Sequence, residues 1–269
     1  MDIRLEANRR MWNERVPIHV CSEFYDVEGF KSGKTQLRPW EIEEVGDVDG
    51  LDLVHLQCHF GLDTLSWARL GARVWGVDFS PPAIDQATLL AGDLGLDAHF
   101  VVADIDHAVE AVGGREFDIV YTGLGALLWL PDVGEWARTV RRLLRPGGRL
   151  YLTEFHPFTD VLEEEDGKLV AVRDYAGDTA VMYDEPGTYA DLEAPTTNNV
   201  SYEWTHTVSD VIGAVLAAGM ALELFSERGD YTLFPRYASM ARGDDGRFRL
   251  PPRFPRIPLI YSLVARRPG

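Results

Sequence analysis

The spacing of apolar residues divides the chain into a helical start, a long alternating stretch and an irregular later part. Apolar residues set among charged positions predict an amphipathic helix over residues 3–15. Residues 16–38 are expected to be irregular, and Pro39 suits the first position of another short helix. We interpret residues 1–45 as an N-terminal cap.

From residue 51 onward, buried strands alternate with amphipathic helices. Strands are predicted over residues 51–58, 72–79, 98–104, 117–123 and 149–155, with helices over 62–71, 81–95, 106–112 and 132–144. This alternation favours right-handed crossovers and a parallel sheet that is covered by helices on both faces. Residues 46–155 are therefore predicted to form a doubly wound α/β core.

Regular alternation stops after residue 155. Residues 156–205 contain an acidic run, several Gly and Pro residues and weakly alternating stretches, which predict an insertion with extra strands. A helix is then expected over residues 208–220, with Ser209 as its cap, and strands follow over 221–227 and 257–267. Residues 206–269 are expected to complete the core.

Composition narrows the class of protein. The 269 residues are 46% hydrophobic and 26% charged, which is typical of a soluble globular chain. No apolar run approaches the roughly 20 residues of a membrane span, and the first residues lack the apolar centre of a signal peptide. We expect a cytoplasmic protein without a membrane partner. The net charge of −17 argues against a nucleic-acid partner.

Two cysteines, Cys21 and Cys58, do not predict a disulfide framework. Together with Cys58, His55 and His59 superficially resemble metal ligands. However, positions 55 and 58 project from opposite faces of a strand, whereas zinc ligands must converge. We therefore predict no metal site and interpret His55 as a core histidine.

Small and acidic residues follow three successive strands, at the edge where open α/β sheets bind ligands. Gly61 lets the backbone approach a ligand, and the helix after it offers free N–H groups. The carboxylate of Asp78 can accept hydrogen bonds from the hydroxyls of a ribose, and that of Asp104 can accept a hydrogen bond from an adenine amino group. Each Asp could instead cap a helix, but their order behind Gly61 favours a nucleoside site.

These motifs carry a family resemblance. The segments LVHLQCHFGLDTLSWARLGARVWGVDFSPPAIDQA, FVVADI, FDIVYTGLGALLWLPD and LLRPGGRLYLTEFHP resemble the class I S-adenosylmethionine (SAM)-dependent methyltransferases, in a bacterial subgroup with an LQCHFG loop. The resemblance implies a Rossmann-like, seven-stranded, mostly parallel sheet whose last strand is antiparallel. It also implies SAM as cofactor and S-adenosylhomocysteine (SAH) as its product.

By position, the resemblance assigns Asp78 to the ribose of SAM and Asp104 to the adenine end. Around them, Phe79 and Ile105 would sandwich the purine, and Thr122 and Gly123 would lie below the sulfonium. Gln57 and His59 stand where the family usually has glycine, and only Gly61 is retained. The loop is therefore expected to differ either in conformation or in how it meets the methionine end of SAM.

N-terminal segments of the family commonly cover the SAM pocket. The aromatic residues of the cap are therefore expected to form a lid, and Tyr25 is singled out as a cofactor contact; they are Trp12, Phe24, Tyr25, Phe30 and Trp40. Aromatic faces there could attract the sulfonium cation. The alternative is that these side chains only pack the cap.

Methyl transfer needs alignment above all, and a base helps when the acceptor carries a proton. Candidate bases are Glu154, His156 and His206. Aromatic residues in the insertion either line an acceptor pocket or form the insertion's own core; they are Tyr183, Tyr189, Tyr202 and Trp204. An aromatic pocket would suit a small aromatic or apolar acceptor.

Two other functions remain open at this point. A NAD-dependent oxidoreductase shares the strand–turn–helix and the acidic second-strand end, but its G-x-G-x-x-G motif is absent. A non-catalytic SAM-binding protein is conceivable because two loop glycines are lost. The sequence does not name the methyl acceptor, the atom that is methylated or the choice between monomer and homodimer.

Overall fold

The computed structural model describes residues 2–177 and 179–269. Met1 of the predicted cap and Asp178 of the predicted insertion lie outside the described residues. The helices are α1 (Ile3–Cys21), α2 (Val27–Lys31), α3 (Pro39–Val45), α4 (Leu62–Arg69), α5 (Pro81–Leu94), α6 (Ala108–Ala111), α7 (Val133–Leu143), α8 (Phe158–Val161) and α9 (Val208–Ala217). Short 3-10 turns cover Ile105–His107 and Leu127–Trp129.

The strands are β1 (Asp52–Leu56), β2 (Arg73–Asp78), β3 (Ala98–Val102), β4 (Phe117–Thr122), β5 (Leu144–Phe155), β6 (Leu162–Glu165), β7 (Lys168–Ala171), β8 (Val181–Asp184), β9 (Val200–Glu203), β10 (Ala221–Arg228), β11 (Ala241–Arg242), β12 (Phe248–Arg249) and β13 (Ile260–Arg266).

Seven strands form one sheet in the order β10-β13-β5-β4-β1-β2-β3. The pairs between β3, β2, β1, β4 and β5 are parallel, whereas β13 runs antiparallel to both β5 and β10. This confirms the predicted Rossmann-like α/β class with an antiparallel last strand. Because β1 to β5 are parallel, their carboxyl ends meet at one edge of the sheet.

The core lies on both faces of the sheet, and β4 shows how the sequence divides it. Val120 packs with Trp136 of α7 and Val211 of α9 on one face. Its neighbours Ile119 and Tyr121 pack with the other cluster, against α4. This alternation is the side-chain period of a strand, and it fixes which residues of β1 to β5 reach the site edge.

The N-terminal region is more helical than its sequence predicts. The helix predicted to end near residue 15 continues through Pro17 to Cys21, and α2 interrupts the stretch expected to be irregular. Met11, Val16 and His19 are all buried, so tertiary packing outweighs the hydrogen bond lost at Pro17. The predicted cap of α9 is also wrong, because Thr207 rather than Ser209 caps the helix.

Insertion residues are joined to α1 by buried polar contacts. The side-chain amide of Asn8 donates a hydrogen bond to the backbone carbonyl of Tyr202 and accepts one from the backbone N–H of Tyr202, both over 2.7 Å. These two bonds join α1 to β9. Arg15 donates to the carbonyls of Asn198 and Glu185 over 2.9 and 3.2 Å. The cap and the insertion therefore meet over the sheet edge.

Candidate active site

The loop after β1 has an unusual backbone. Gln57, His59 and Gly61 have φ values of 57, 50 and 82°, so all three lie in the left-handed region that glycine adopts most easily. A Cβ on Gly61 would stand 2.9 Å from ring atoms of Phe100, which explains the glycine there. Gln57 and His59 thus adopt conformations that glycine would adopt freely, and they add side chains to the loop.

Asp78 ends β2 beside this loop. Its carboxylate is buried and accepts the N–H of His59 over 2.8 Å and that of Ser80 over 2.9 Å. Burial raises the pKa of Asp78 to about 6, and the donated N–H groups oppose that rise. The structure therefore holds an oriented carboxylate between the ends of β1 and β2.

Asp104 lies beyond the end of β3 and is less enclosed. Its side chain is 44% exposed and accepts the backbone N–H of His107 over 3.1 Å, so it caps the 3-10 turn. Ile105 is buried and Phe79 is half-buried at the same edge. The predicted purine residues therefore sit at the ends of adjacent strands, while Asp104 also serves its own turn.

Thr122 ends β4 and Gly123 follows it, beside the loop after β1. The Thr122 hydroxyl is fully buried and, within residues 2–177 and 179–269, has no hydrogen-bond partner. An added Cβ on Gly123 would lie 3.5 Å from a carboxylate oxygen of Asp63 and 3.6 Å from Nε2 of His55. His55 also contacts the Thr64 hydroxyl through Nδ1 over 2.8 Å, as expected for a core histidine.

A buried charge cluster that the sequence did not reveal flanks Gly123. The Arg38 guanidinium is only 13% exposed and lies 3.1 Å from Glu41 and 3.8 Å from Asp63. Burial raises the pKa of Asp63 to about 6, against the attraction of Arg38. One indirect signal in the sequence is the position of this arginine immediately before Pro39, which begins α3.

Aromatic residues from the cap and the insertion cover the loop. Trp12 packs edge-on against His59 with ring centroids 5.2 Å apart, and against Trp129 at 5.3 Å. The hydroxyl of Tyr25 contacts the hydroxyl of Tyr189. Tyr25 therefore lies at the loop, where a lid residue is expected, while Phe30 is buried in a neighbouring cluster.

Two histidines join the loop to this cover. His19 of α1 contacts Nε2 of His59 through its Nδ1 over 2.9 Å, and its Nε2 contacts the Thr188 hydroxyl over 2.6 Å. Burial lowers the pKa of His19 to about 3 and that of His59 well below its ordinary value. Both rings are therefore neutral, and a single ring proton can bridge them.

Glu154, at the end of β5, is tied to the loop after β4. Its carboxylate accepts the backbone N–H groups of Gly125, Ala126, Leu127 and Phe155 over 2.6 to 2.9 Å. Burial raises its pKa to about 7, and the four donors oppose that rise. This geometry gives Glu154 a positioning role toward residues 125–127.

The two candidate histidines differ in whether a ring nitrogen is free to accept a proton. In His156, Nδ1 accepts from Phe158 N–H over 3.1 Å, and Nε2 contacts Glu227 over 2.9 Å, so both ring nitrogens are occupied. In His206, Nε2 donates to the Leu130 carbonyl over 2.7 Å. That bond fixes the tautomer and leaves Nδ1 with a lone pair.

A cavity of about 50 Å³ lies beside Glu154 and His206. Trp204 and Tyr261 line it, and the backbone N–H of Trp204 donates a hydrogen bond to the Leu128 carbonyl over 2.8 Å. Of the other predicted acceptor aromatics, Tyr189 joins the cover over the loop, while Tyr183 and Tyr202 lie on β8 and β9. Phe234, which the sequence did not single out, bridges Phe155 and Tyr189.

Two absences concern only the described residues. Among them, no three His, Cys, Asp or Glu side chains are grouped closely enough to hold a metal ion. No helix in the same part of the chain is both long and apolar enough to cross a membrane.

Comparison with known families finds a match within the core. Residues 54–152 match a family described as a methyltransferase domain. The chain is 30% identical over 138 residues to a ubiquinone biosynthesis O-methyltransferase of Xanthomonas oryzae pv. oryzae, covering 50% of this chain and 56% of the relative. It is 35% identical over 104 residues to a protein of the same name from Caulobacter vibrioides, covering 39% and 40%. The chain thus spans about half the length of such relatives.

Solved structures extend the likeness of fold to nearly the whole chain. An S-adenosylmethionine-dependent methyltransferase from Mesorhizobium loti aligns with a TM-score of 0.58 at 21% identity, covering 88% of this chain and all of that one. A complex of DhpI with SAH aligns with a TM-score of 0.57 at 14% identity, covering 99% and 98%. At these identities the alignments establish the fold.

Proposed function

We propose that this chain transfers a methyl group from SAM to an oxygen atom of a small molecule. Residues 54–152 match a methyltransferase domain, and the fold is that of solved SAM-dependent methyltransferases. One observation carries the proposal: the buried Asp78 carboxylate, oriented by the His59 N–H, stands beside a left-handed loop at the carboxyl edge of the sheet. When bound, SAM supplies an electrophilic methyl group on a sulfonium.

The residues at this edge fit such a cofactor. The side-chain oxygen of Gln57 and the hydroxyl of Thr122 are buried and lack a hydrogen-bond partner among the described residues. Unpaired buried polar atoms are costly, and a polar ligand would relieve that cost. We propose that Asp78 accepts the ribose hydroxyls and that Phe79 and Ile105 flank the purine, with Asp104 at the adenine end.

The charge cluster suits an amino-acid zwitterion. Arg38 offers a nearly buried guanidinium, which pairs well with a carboxylate. Asp63, whose side chain lies beside Gly123, offers a carboxylate for an ammonium group. We therefore assign the methionine end of SAM to the space between Arg38, Asp63 and the loop after β1, where Gln57 and Gly123 complete the walls.

Alignment and water exclusion are the main tasks of the remaining residues. The cap and the insertion, which meet at Tyr25 and Tyr189, cover the loop and keep water from it. Glu154 fixes residues 125–127 through their N–H groups and so shapes the floor of the acceptor side. Holding two reacting atoms in line supplies much of the acceleration of a displacement reaction.

A hydroxyl acceptor must lose a proton, and His206 is suited to receive it. Its tautomer leaves Nδ1 with a lone pair, and burial lowers its pKa so that the ring is neutral. The cavity beside it has Trp204 and Tyr261 as aromatic walls. The O-methyltransferase names of the relatives support an oxygen acceptor. A small phenol is therefore the acceptor that we propose.

The experiment uses SAM labelled in its methyl group and a panel of phenols, catechols, amines and thiols. We expect SAM binding in calorimetry, no comparable binding of NAD, and transfer of label to a phenolic oxygen. Binding of NAD instead of SAM would overturn the proposal. Binding of SAM with transfer only to nitrogen or sulfur would overturn the acceptor class but leave the methyltransferase activity in place.

A further inference from the structure

We propose that His19 is a positioning residue for SAM, which acts through His59 on the carboxylate of Asp78. The inference rests on the proposed function, since it concerns the same cofactor site. It assigns a role to a residue of α1 that is 40 positions away from its partner in the loop.

His59 occupies a conformation that a side chain makes costly. With φ at 50°, it lies in the left-handed region, which is unfavourable for any residue other than glycine. Such a conformation persists only where the surroundings hold it in place, and it tends to occur at ligand sites. The contacts of the imidazole are therefore expected to stabilise the loop.

Those contacts come chiefly from the cap. His19 is fully buried and bonds Nε2 of His59 over 2.9 Å, while Trp12 packs edge-on against the same ring. The other ring nitrogen of His19, Nε2, forms a hydrogen bond with the Thr188 hydroxyl over 2.6 Å. One imidazole of α1 thus connects the loop after β1 with the insertion.

The loop transmits this contact to the cofactor site through one peptide group. The N–H of His59 donates to Oδ2 of Asp78 over 2.8 Å, so the residue whose ring His19 holds also orients the carboxylate proposed to bind ribose. If the ring is released, the strained backbone is free to relax and the N–H leaves its position. Loss of the hydrogen bond from His59 to Asp78 then lowers the affinity for SAM.

A purely structural role of His19 makes a different prediction. Packing of α1 depends on the volume and burial of the side chain, whereas positioning depends on a polar atom at the place of Nδ1. Asparagine places an amide atom near Nδ1, and glutamine places one near Nε2. The pair His19→Asn and His19→Gln therefore separates the contact with His59 from the contact with Thr188.

The test measures SAM affinity by calorimetry, KM for SAM and kcat separately, and Tm, for the full chain and these two variants. We expect His19→Asn to retain SAM affinity within about twofold and His19→Gln to lose about tenfold, a difference of about 1.4 kcal/mol. KM for SAM should rise in His19→Gln more than kcat falls. Thr188→Val should resemble His19→Asn.

Each outcome decides the matter. Equal SAM affinity in His19→Asn and His19→Gln, or affinity losses that only follow the fall in Tm, would overturn the inference and leave the proposed function standing. A wild-type chain that does not bind SAM would overturn the proposed function and this inference with it. A SAM affinity that falls only in His19→Gln, at similar Tm, supports the positioning role.

Discussion

The backbone N–H of His59 donates to the carboxylate of Asp78 over 2.8 Å and joins the loop after β1 to the end of β2. The contact belongs to a residue that stands where the resembling family usually has glycine. The imidazole of His59 is held by the cap, while its peptide group faces the proposed ribose site. The loop after β1 and the cap that covers it are therefore coupled at one position.

The first prediction concerns pH and SAM affinity. Burial raises the pKa of Asp78 to about 6, so the carboxylate gains a proton as pH falls through that value. The protonated form is the weaker acceptor for ribose hydroxyls, hence SAM affinity should fall between about pH 7 and pH 5, by at most tenfold per pH unit for one proton. Calorimetry at several pH values measures this.

Asp78→Asn is the control for that experiment, because it removes one titrating group. The pH dependence should become shallower but not vanish, since burial also raises the pKa of Asp63 to about 6. An equal dependence in wild type and variant would contradict the assignment of the titration to Asp78.

A second prediction tests the proposed base. His206→Gln should lower kcat by a factor on the order of 100 or more, as expected when a general base is lost. SAM affinity should change little, because His206 lies on the acceptor side. Rapid-quench measurement of the methyl-transfer step checks this.

His156→Gln provides the comparison, since both nitrogens of His156 are already occupied by Phe158 and Glu227. We expect it to lower Tm and to leave the rate of methyl transfer within a few-fold of wild type. A larger loss of kcat in His156→Gln than in His206→Gln would reverse the two assignments.

The third prediction concerns glycine at a close approach. An added Cβ on Gly76 would lie 2.5 Å from a ring atom of Phe100 and 2.8 Å from the sulfur of Cys58. Gly76→Ala should therefore lower the free energy of unfolding by about 1–3 kcal/mol through overpacking. Urea denaturation measures the change.

Gly92, in the last turn of α5, is the matched control, because nothing lies within 4 Å of its added Cβ. Gly92→Ala should raise stability by about 0.5–1 kcal/mol, the helix preference for alanine. Similar effects of the two substitutions would show that the packing at Gly76 is not as tight as described.

A fourth prediction uses the neutral state of His19. Its pKa is lowered by burial to about 3 in the folded chain, whereas an unfolded histidine titrates near its ordinary value of about 6.5. The stability that His19 contributes is therefore present above about pH 6.5 and is lost as pH falls toward the folded value.

The measurement compares wild type with His19→Asn, which does not titrate. The difference between their free energies of unfolding should be largest above pH 6.5 and should shrink at pH 5.5 and pH 5, by at most about 1.4 kcal/mol per pH unit. A difference that stays constant over this range would show that His19 is not buried in its neutral form.

Local patterns were sufficient to predict most of the sheet and the residues at its edge. The strand alternation predicted β1 to β5, which the structure contains. The ligand site expected from the chain order of Gly61 and Asp78 stays a prediction, and both residues lie at the carboxyl edge of the sheet. These features depend on period and on neighbours in sequence, so a single chain can reveal them.

Long-range contacts account for what was missed. Arg38, His19 and Phe234 reach the site only because the cap and residues 229–259 fold over it, and apart from the proline after Arg38 nothing in their local sequence marks them. Because glycine is absent at two positions of the loop, the sequence also leaves open whether the loop differs in conformation or in how it meets the methionine end of SAM. The structure shows left-handed φ at both Gln57 and His59, held by tertiary contacts that sequence spacing does not report.

The most direct test of the account is a calorimetric titration of SAM into the wild-type chain, Asp78→Asn and Asp104→Asn. We predict binding to the wild type, a loss of tenfold or more in Asp78→Asn, consistent with about 1.5–3 kcal/mol for hydrogen bonds to a charged group, and a smaller loss in Asp104→Asn, whose carboxylate is half-exposed. No binding of SAM to the wild type, or unchanged affinity in Asp78→Asn, would contradict the assignment of this edge to the cofactor.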